Sequence, residues 1–457
     1  MSALHSLLAP ARYLSREESE AIAKRVLGFA TADQTRVTIS SGGQGNTRFA
    51  VNQISTAGDN YNAVVNVRAM VGKRSGSSST NRLDDESLRR TVQMAEQLAR
   101  LAPEDPEAMR ELGPQQYEAG DAWRDGTAAL DPTGRAAAVR AITEPSRGAG
   151  LISTGYLEHE AGSSAVANSR GLFAYGRETG AVLTTTVRTA DGTGSGWAGA
   201  TDNDWANIDP AALGARAIDK ARRSVNPAAV EPGRYTVVLE PTAVGNLVQL
   251  IGRAFSARSA EEGRSFFSKP GGGTKIGEKV VDERVTLVAD PHDERAPTNT
   301  FNGEGLPVSR TTWIENGVVK TLAYDRYWAQ HRNVAPTQAG GSLVMSGGDA
   351  SLEEMIASTE RGLLVTRFWY IRPVDPRTIL YTGLTRDGTF LIEKGKITRA
   401  VKNLRFNESP IFMLNNVEAM GRAVRVSASE AGGVGQGVVV PPLKVRDFTF
   451  TSLSDAV

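Results

Sequence analysis

The spacing of apolar and polar positions divides the chain into helices and strands before any composition is counted. Ser15-Arg-Glu-Glu18 reads as a capping box, and Ala21, Ile22, Val26, Leu27 and Ala30 continue it as the apolar stripe of a first helix. Strands are expected near Arg36–Ser40 and Thr47–Ser55, with a turn at Gly42-Gly43-Gln-Gly45 between them. A third strand, Tyr61–Val71, alternates Val65, Val67, Ala69 and Val71 on one face. A polar loop, Gly72–Asn81, then leads to a helix from about Asp84 to Leu101, whose acidic first turn and terminal Arg100 suit the helix dipole.

Pro103 to Gly126 is rich in Pro, Gly and charge and reads as a connection. Asp131-Pro132 and Asp209-Pro210 each open a helix, with Asp as cap and Pro at the first helical position. Between these helices, Gly150–Arg188 returns to strands, with turns expected at Ala161-Gly162 and Arg170-Gly171. Asn226 to Gly233 is the best boundary and divides the chain into an N-terminal α+β domain (1–230) and a C-terminal β-rich domain (231–457). In the second half, Asn316-Gly317 predicts a tight hairpin within Arg310–Asp325, and Asp387-Gly388 and Lys394-Gly395 mark two more turns. A single helix, Thr242 to about Ala260, interrupts this half, and Gly271–Gly273 and Gly432–Gly437 read as loops. There is no internal repeat.

Composition narrows the chemistry. The 52 Lys+Arg residues nearly cancel the 51 Asp+Glu, which removes the electrostatic case for nucleic acid or anionic membrane as main partner. Cysteine is absent, so thiol nucleophiles and thiolate metal ligands are excluded. The N-terminus lacks the pattern of a signal peptide and no stretch is long and apolar enough to span a membrane, so a soluble, cytoplasmic protein is expected.

Of the four histidines, His5, His159, His292 and His331, none lies in a self-evident catalytic constellation. His159-Glu160 lacks a second His one helical turn on, because residue 163 is Ser, and the local pattern is strand. His292 sits among Asp290, Asp293 and Glu294, a set that could bind a metal through oxygens and one imidazole but reads better as a solvated turn. His331 follows Tyr327 and Trp328, which points to packing. Gly192-Thr-Gly194-Ser-Gly196 lacks the Lys-Ser/Thr of a phosphate-binding loop.

One long segment carries more information. Phe301-Asn-Gly-Glu-Gly305-Leu-Pro-Val-Ser-Arg310-Thr-Thr-Trp-Ile-Glu-Asn-Gly317-Val-Val-Lys320 resembles the signature of the TldD/TldE (PmbA) metallopeptidase family. Ile276-Gly277-Glu278, Asn168-Ser169-Arg-Gly171 and Pro441-Pro-Leu-Lys-Val445-Arg-Asp-Phe448 fit the same family in order. The resemblance implies a two-domain α+β fold: an N-terminal α/β domain with a mainly antiparallel sheet and a C-terminal β-rich domain with an active-site helix. It also implies a heterodimer. The TldD-type subunit carries a His-Glu-x-x-x-His zinc motif and a Cys ligand, and the TldE-type subunit lacks them.

An ungapped count back from Ile276-Gly277-Glu278 places the motif at Arg253-Ala254-Phe255-Ser256-Ala257-Arg258. Both imidazole positions are Arg and the general-base position is Ala; a guanidinium cannot ligate zinc and a methyl group cannot take a proton. No His lies between His159 and His292, so a slip in the count restores nothing.

The resemblance therefore implies a non-catalytic TldE/PmbA-like subunit that binds no metal itself. Its expected partners are a TldD-type subunit holding zinc and a peptide substrate, with roles in degrading unfolded peptides or maturing peptide natural-product precursors. Arg253 and Arg258 are the candidate substrate contacts, facing acidic or C-terminal carboxylates, against the alternative of ion pairs with Glu261 or Glu262. Two other readings stay open: a homodimeric enzyme with non-zinc chemistry, and a regulatory protein with no peptidase partner.

Overall fold

The computed structural model describes residues 13–337, 340–427 and 437–454. His5 and all but the last residue of the Gly432–Gly437 stretch lie outside them.

The first half runs α1 (Arg16–Phe29), β1 (Gln34–Ala50), β2 (Gln53–Val71), β3 (Arg74–Thr80), α2 (Asp85–Leu101), α3 (Asp125–Ala128), α4 (Pro132–Gly148), β4 (Ile152–Asn168), β5 (Phe173–Arg188), β6 (Ser195–Asp202) and α5 (Pro210–Arg223). Its strands form one antiparallel sheet in the order β3-β2-β1-β4-β5-β6. Helix starts are set by side chains: the Ser15/Glu18 capping box, and Asp84, Asp131 and Asp209, each accepting a backbone N–H of its helix's first turn. Burial alternates along β1, so that Val37, Ile39 and Phe49 face the helices. Two packed clusters cover that face, one under α1 and α2 and the other under α4 and α5.

Glycines misled the local reading at two places in this sheet. Gly42–Gly45 is not a turn but the middle of β1, and Ala161-Gly162 lies inside β4. Gly42 and Gly162 stand opposite each other; a Cβ at Gly42 would come within 2.7 Å of the Ala161 carbonyl oxygen. Close strand approach, not chain reversal, selects glycine here. The reversal is at Val51-Asn52, where φ is 52° and 58°, the left-handed pair that a two-residue hairpin requires. The polar stretch Gly72–Asn81 is also not a loop. It contains β3, an edge strand whose Gly76 packs directly on the α2 backbone.

The second half contains β7 (Gly233–Leu239), α6 (Pro241–Gly252), α7 (Ala257–Glu261), β8 (Leu287–Asp290), β9 (Thr311–Glu315), β10 (Val318–Val319), α8 (Arg326–Arg332), β11 (Ser342–Met345), α9 (Leu352–Ala357), β12 (Arg361–Asp375), β13 (Leu380–Glu393), β14 (Lys396–Ala400), β15 (Leu404–Glu408), α10 (Pro410–Asn415), β16 (Val417–Met420), β17 (Val424–Ser427), β18 (Gly437–Val440) and β19 (Leu443–Leu453). One sheet has the order β10-β9-β8-β11-β18-β17. In the other, β12-β7-β19-β15-β13 closes into a ring because β13 also pairs with β12; β14 extends β13 and β16 pairs with β19. Phe368, Phe406, Phe448 and Phe450 pack together in this half's core. Asn316 and Gly317 (φ 48° and 78°) make the expected hairpin turn, as do Lys394 and Gly395.

Asp387-Gly388 is a bulge inside β13, not a turn. Thr366 on β12 faces both residues, and Asp387 adopts φ 53°. The bulge directs the Asp387 carboxylate across to the first half, where it accepts the Ser195 hydroxyl at 2.6 Å, while the Arg367 guanidinium on β12 donates to it from its own half. The segment between α2 and α3 is irregular but well tied. It bonds to the second half through Tyr117 Oη, which donates to the Gly305 carbonyl at 2.7 Å, and through the Glu118 carbonyl, which accepts the Thr300 hydroxyl.

Candidate functional site

The helix expected over Thr242–Ala260 is two helices with a break at the positions of interest. The apolar residues Val244, Leu247, Val248 and Ile251 bury α6 in the core of the second half. α6 ends at Gly252, with Arg253 as its C-cap. The chain then turns so that Phe255 can stack on Trp313 at 4.7 Å and on Phe267 at 5.2 Å. Burying that ring is worth about 2–3 kcal/mol, which offsets the few helical hydrogen bonds given up there, each worth about 0.5–1.5 kcal/mol net. The Phe255 carbonyl accepts the Ala323 N–H at 2.7 Å, and the Ala257 N–H donates to the Ala323 carbonyl at 2.9 Å. Ser256 caps the short helix α7 that follows.

This break sends the two arginines to different surroundings. Arg258 donates two near-parallel hydrogen bonds to Glu107, at 2.7 and 2.8 Å, and a third from Nε to Glu262 at 3.0 Å. It also lies over the Trp328 ring at 5.2 Å. Hydrogen bonds from Glu107 first, then Glu262, push its pKa up, so it is a fixed cation. The pairing with Glu262 was one of the two alternatives read from the sequence; Glu107, from the irregular segment of the first half, was not foreseen.

Arg253 is exposed and rims a groove of about 730 Å3 between the end of α6 and the tip of the β12–β13 hairpin. Leu250 and Ile379 lie buried beneath it, Pro376 and Tyr381 contribute apolar surface, and Arg264, Asp375 and Arg377 contribute charge. No carboxylate among the described residues pairs with Arg253, whereas Arg264 pairs with Glu262, and Arg377 with Asp375 at 3.7 Å. Ala254 lines the groove without chemistry of its own. Glu261 is committed elsewhere, accepting Tyr324 Oη, Trp328 Nε1 and the Arg332 guanidinium.

The histidines are not brought together. His159 is buried in β4 on the helix-covered face, beside Gly45 and Arg135. Burial first, then the Arg135 charge, lowers its pKa to about 4, so it is neutral. His292 Nε2 meets Glu118 Oε2 at 2.7 Å, while its neighbour Asp293 is taken by Arg295. His331 lies on α8 against Tyr327 and Trp328. Gly192–Gly194 is a turn stabilised by Asp191, which accepts the Thr193 N–H, and Ser195 and Gly196 already belong to β6. Among the described residues no group of three or more His, Asp or Glu side chains is arranged to hold a metal ion.

The chain thus joins an antiparallel layered half to a half that combines a strand ring with a second sheet. Its sequence matches the PmbA/TldA metallopeptidase domain 1 over residues 39–99, the central domain over 127–225 and the C-terminal domain over 232–452. The chain belongs to the PmbA/TldD metallopeptidase family. A metalloprotease of Methanothermobacter thermautotrophicus is 26% identical over 330 residues, which cover 65% of this chain and 69% of the relative. A TldD metalloprotease homologue of Haemophilus influenzae is 27% identical over 195 residues, 38% of this chain and 40% of the relative. The crystal structure of TldE from Thermococcus kodakarensis superposes with a TM-score of 0.83 at 19% identity, covering 95% of this chain and 99% of that one.

The zinc that the family implies does not fit the residues at the break. The side chains at the positions in question are two guanidiniums, one already engaged by carboxylates, and a methyl group, none of which offers a lone pair to a metal.

Proposed function

We propose that this chain is the non-catalytic, TldE-like subunit of a two-subunit zinc metallopeptidase, completing a chamber in which a TldD-like partner hydrolyses unfolded peptides or peptide natural-product precursors. What supports this reading is that Arg253, Ala254 and Arg258 stand where an ungapped count from Ile276-Gly277-Glu278 places the zinc motif, in a chain that matches all three domains of the family. Arg in place of imidazole removes the metal without emptying the space, as expected of a scaffold kept for assembly and substrate handling. The proposal places the complex in the cytoplasm; among the described residues no helix is long and apolar enough to cross a membrane.

The test is purification of the chain alone and with a family member that retains His-Glu-x-x-x-His. The expected result is no zinc and no peptidase activity alone, and a stable zinc-containing active pair together. Stoichiometric zinc with peptidase activity in the isolated chain overturns the proposal.

A further inference from the structure

We infer that the groove rimmed by Arg253 is a subsite for a carboxylate of an extended peptide, with Arg253 as the anion contact; the inference rests on the peptide-handling reading above. Charge is the first reason. Three guanidiniums and one carboxylate line the groove, a net of +2. Two of the guanidiniums are already balanced, Arg264 by Glu262 and Arg377 by Asp375. Arg253 alone of the three has no carboxylate partner among the described residues. Shape is the second. The volume of about 730 Å3 exceeds what a small ion needs, and exposed Pro376 and part-exposed Tyr381 offer apolar surface beside the charge, as a peptide end with an apolar side chain would require.

Position is the third. The groove is walled by the end of α6 and by the hairpin tip at Asp375–Arg377, and it opens beside the residues that replace the metal ligands. A few residues away, Arg258 already holds the Glu107 carboxylate by two near-parallel bonds, so this part of the fold supports that geometry within the chain itself.

The carboxylate can come from a peptide C-terminus or from an acidic side chain, and the experiment separates these sources. Binding to the full chain is measured by fluorescence anisotropy with three fluorescein-labelled unfolded decapeptides ending in Leu. One has a free C-terminus, one is amidated, and one is amidated with Glu at the penultimate position. The expected result is that the free or the Glu-bearing peptide binds at least about tenfold more tightly than the plain amidated one, and that Arg253→Ala removes the difference. Whichever of the two shows the gain identifies the source. Arg253 is exposed, so the variant keeps its fold. Equal affinity for all three peptides, no binding of any up to millimolar concentration, or a preference that survives Arg253→Ala overturns the inference. A chain that assembles with its partner yet shows no preference keeps the subunit reading and discards this one. A chain that shows the preference but assembles with no partner does the reverse.

Discussion

Replacing Asp387 by Asn should destabilise the protein by about 3 kcal/mol. The Asp387 side chain is 4% exposed and its carboxylate joins the two halves, accepting Ser195 Oγ at 2.6 Å and Arg367 Nε at 3.2 Å. Breaking a buried pair by removing one charge costs ~3–5 kcal/mol, because the remaining ion stays buried and uncompensated. The low end applies here. Arg367 keeps its contacts with the Trp197 and Trp369 rings, at 4.8 and 5.0 Å, and the Asn oxygen still accepts from Ser195. Asn also tolerates the left-handed backbone of this bulge. Ala does not, and it loses the Ser195 bond as well, so Asp387→Ala should cost about 2 kcal/mol more than Asn.

The assay is urea unfolding followed by tryptophan fluorescence, with Trp197 and Trp369 as reporters beside the pair. Burial opposes ionisation of Asp387, but Arg367 and Ser195 outweigh it and hold the carboxyl below its usual range. Its folded pKa therefore lies below the unfolded value of about 4. The stabilisation is present above that value and is lost as pH falls through the folded pKa. The gap between wild type and Asn should be constant from pH 6 to 8 and narrow below about pH 4. An Asn variant within about 0.5 kcal/mol of wild type at pH 7 refutes the reasoning.

Two further outcomes are expected. His159, with its pKa lowered to about 4, binds a proton in the unfolded chain before it does in the folded one. The contribution of His159 to stability should therefore fall by up to about 3 kcal/mol as pH drops from 6.5 towards 4, read as the difference between wild type and His159→Gln across that range; an NMR titration midpoint at or above 6 for this imidazole contradicts it. Val51 is 66% exposed and β-branched at φ 52°, so Val51→Asn should raise stability by about 0.5–1 kcal/mol, and an unchanged or lower urea midpoint rules that out.

What was legible in the chain was chemistry that acts within a few residues. Ser15 and Glu18, Asp131-Pro132, Asp209-Pro210 and Asn316-Gly317 satisfy or bend local backbone groups, and each marks its element. Glycine was ambiguous because it serves both reversal and close approach. Gly42 and Gly162 are demanded by each other across two strands, while the true hairpin uses Val51, a residue that turns rarely select. Asp387-Gly388 has the composition of a turn and acts as a bulge because β12 continues opposite it on both sides. At the candidate site Arg253 and Arg258 can be singled out by counting, but not their partners. Glu107 lies 151 residues from Arg258, and no local spacing announces such a pair.

The separation of the two arginines follows from how a helix is wound. Five residues on a continuous helix turn about 500°, leaving the first and last roughly 140° apart, so Arg253 and Arg258 would diverge even without a break. The break, imposed by burial of Phe255 between Trp313 and Phe267, commits them fully. Arg258 becomes a clasp, holding through Glu107 the irregular segment that Tyr117 and Glu118 also fasten to the second half. Arg253 is left at the groove with its fork of donors unpaired among the described residues. Lysine at either position would supply charge without that planar fork, and at position 258 it could not make the paired contact to Glu107. Arg258 thus serves the joining of the halves. Arg253, with no carboxylate partner among the described residues, is available to a carboxylate from outside, and a test on it can be read without disturbing the clasp at Arg258.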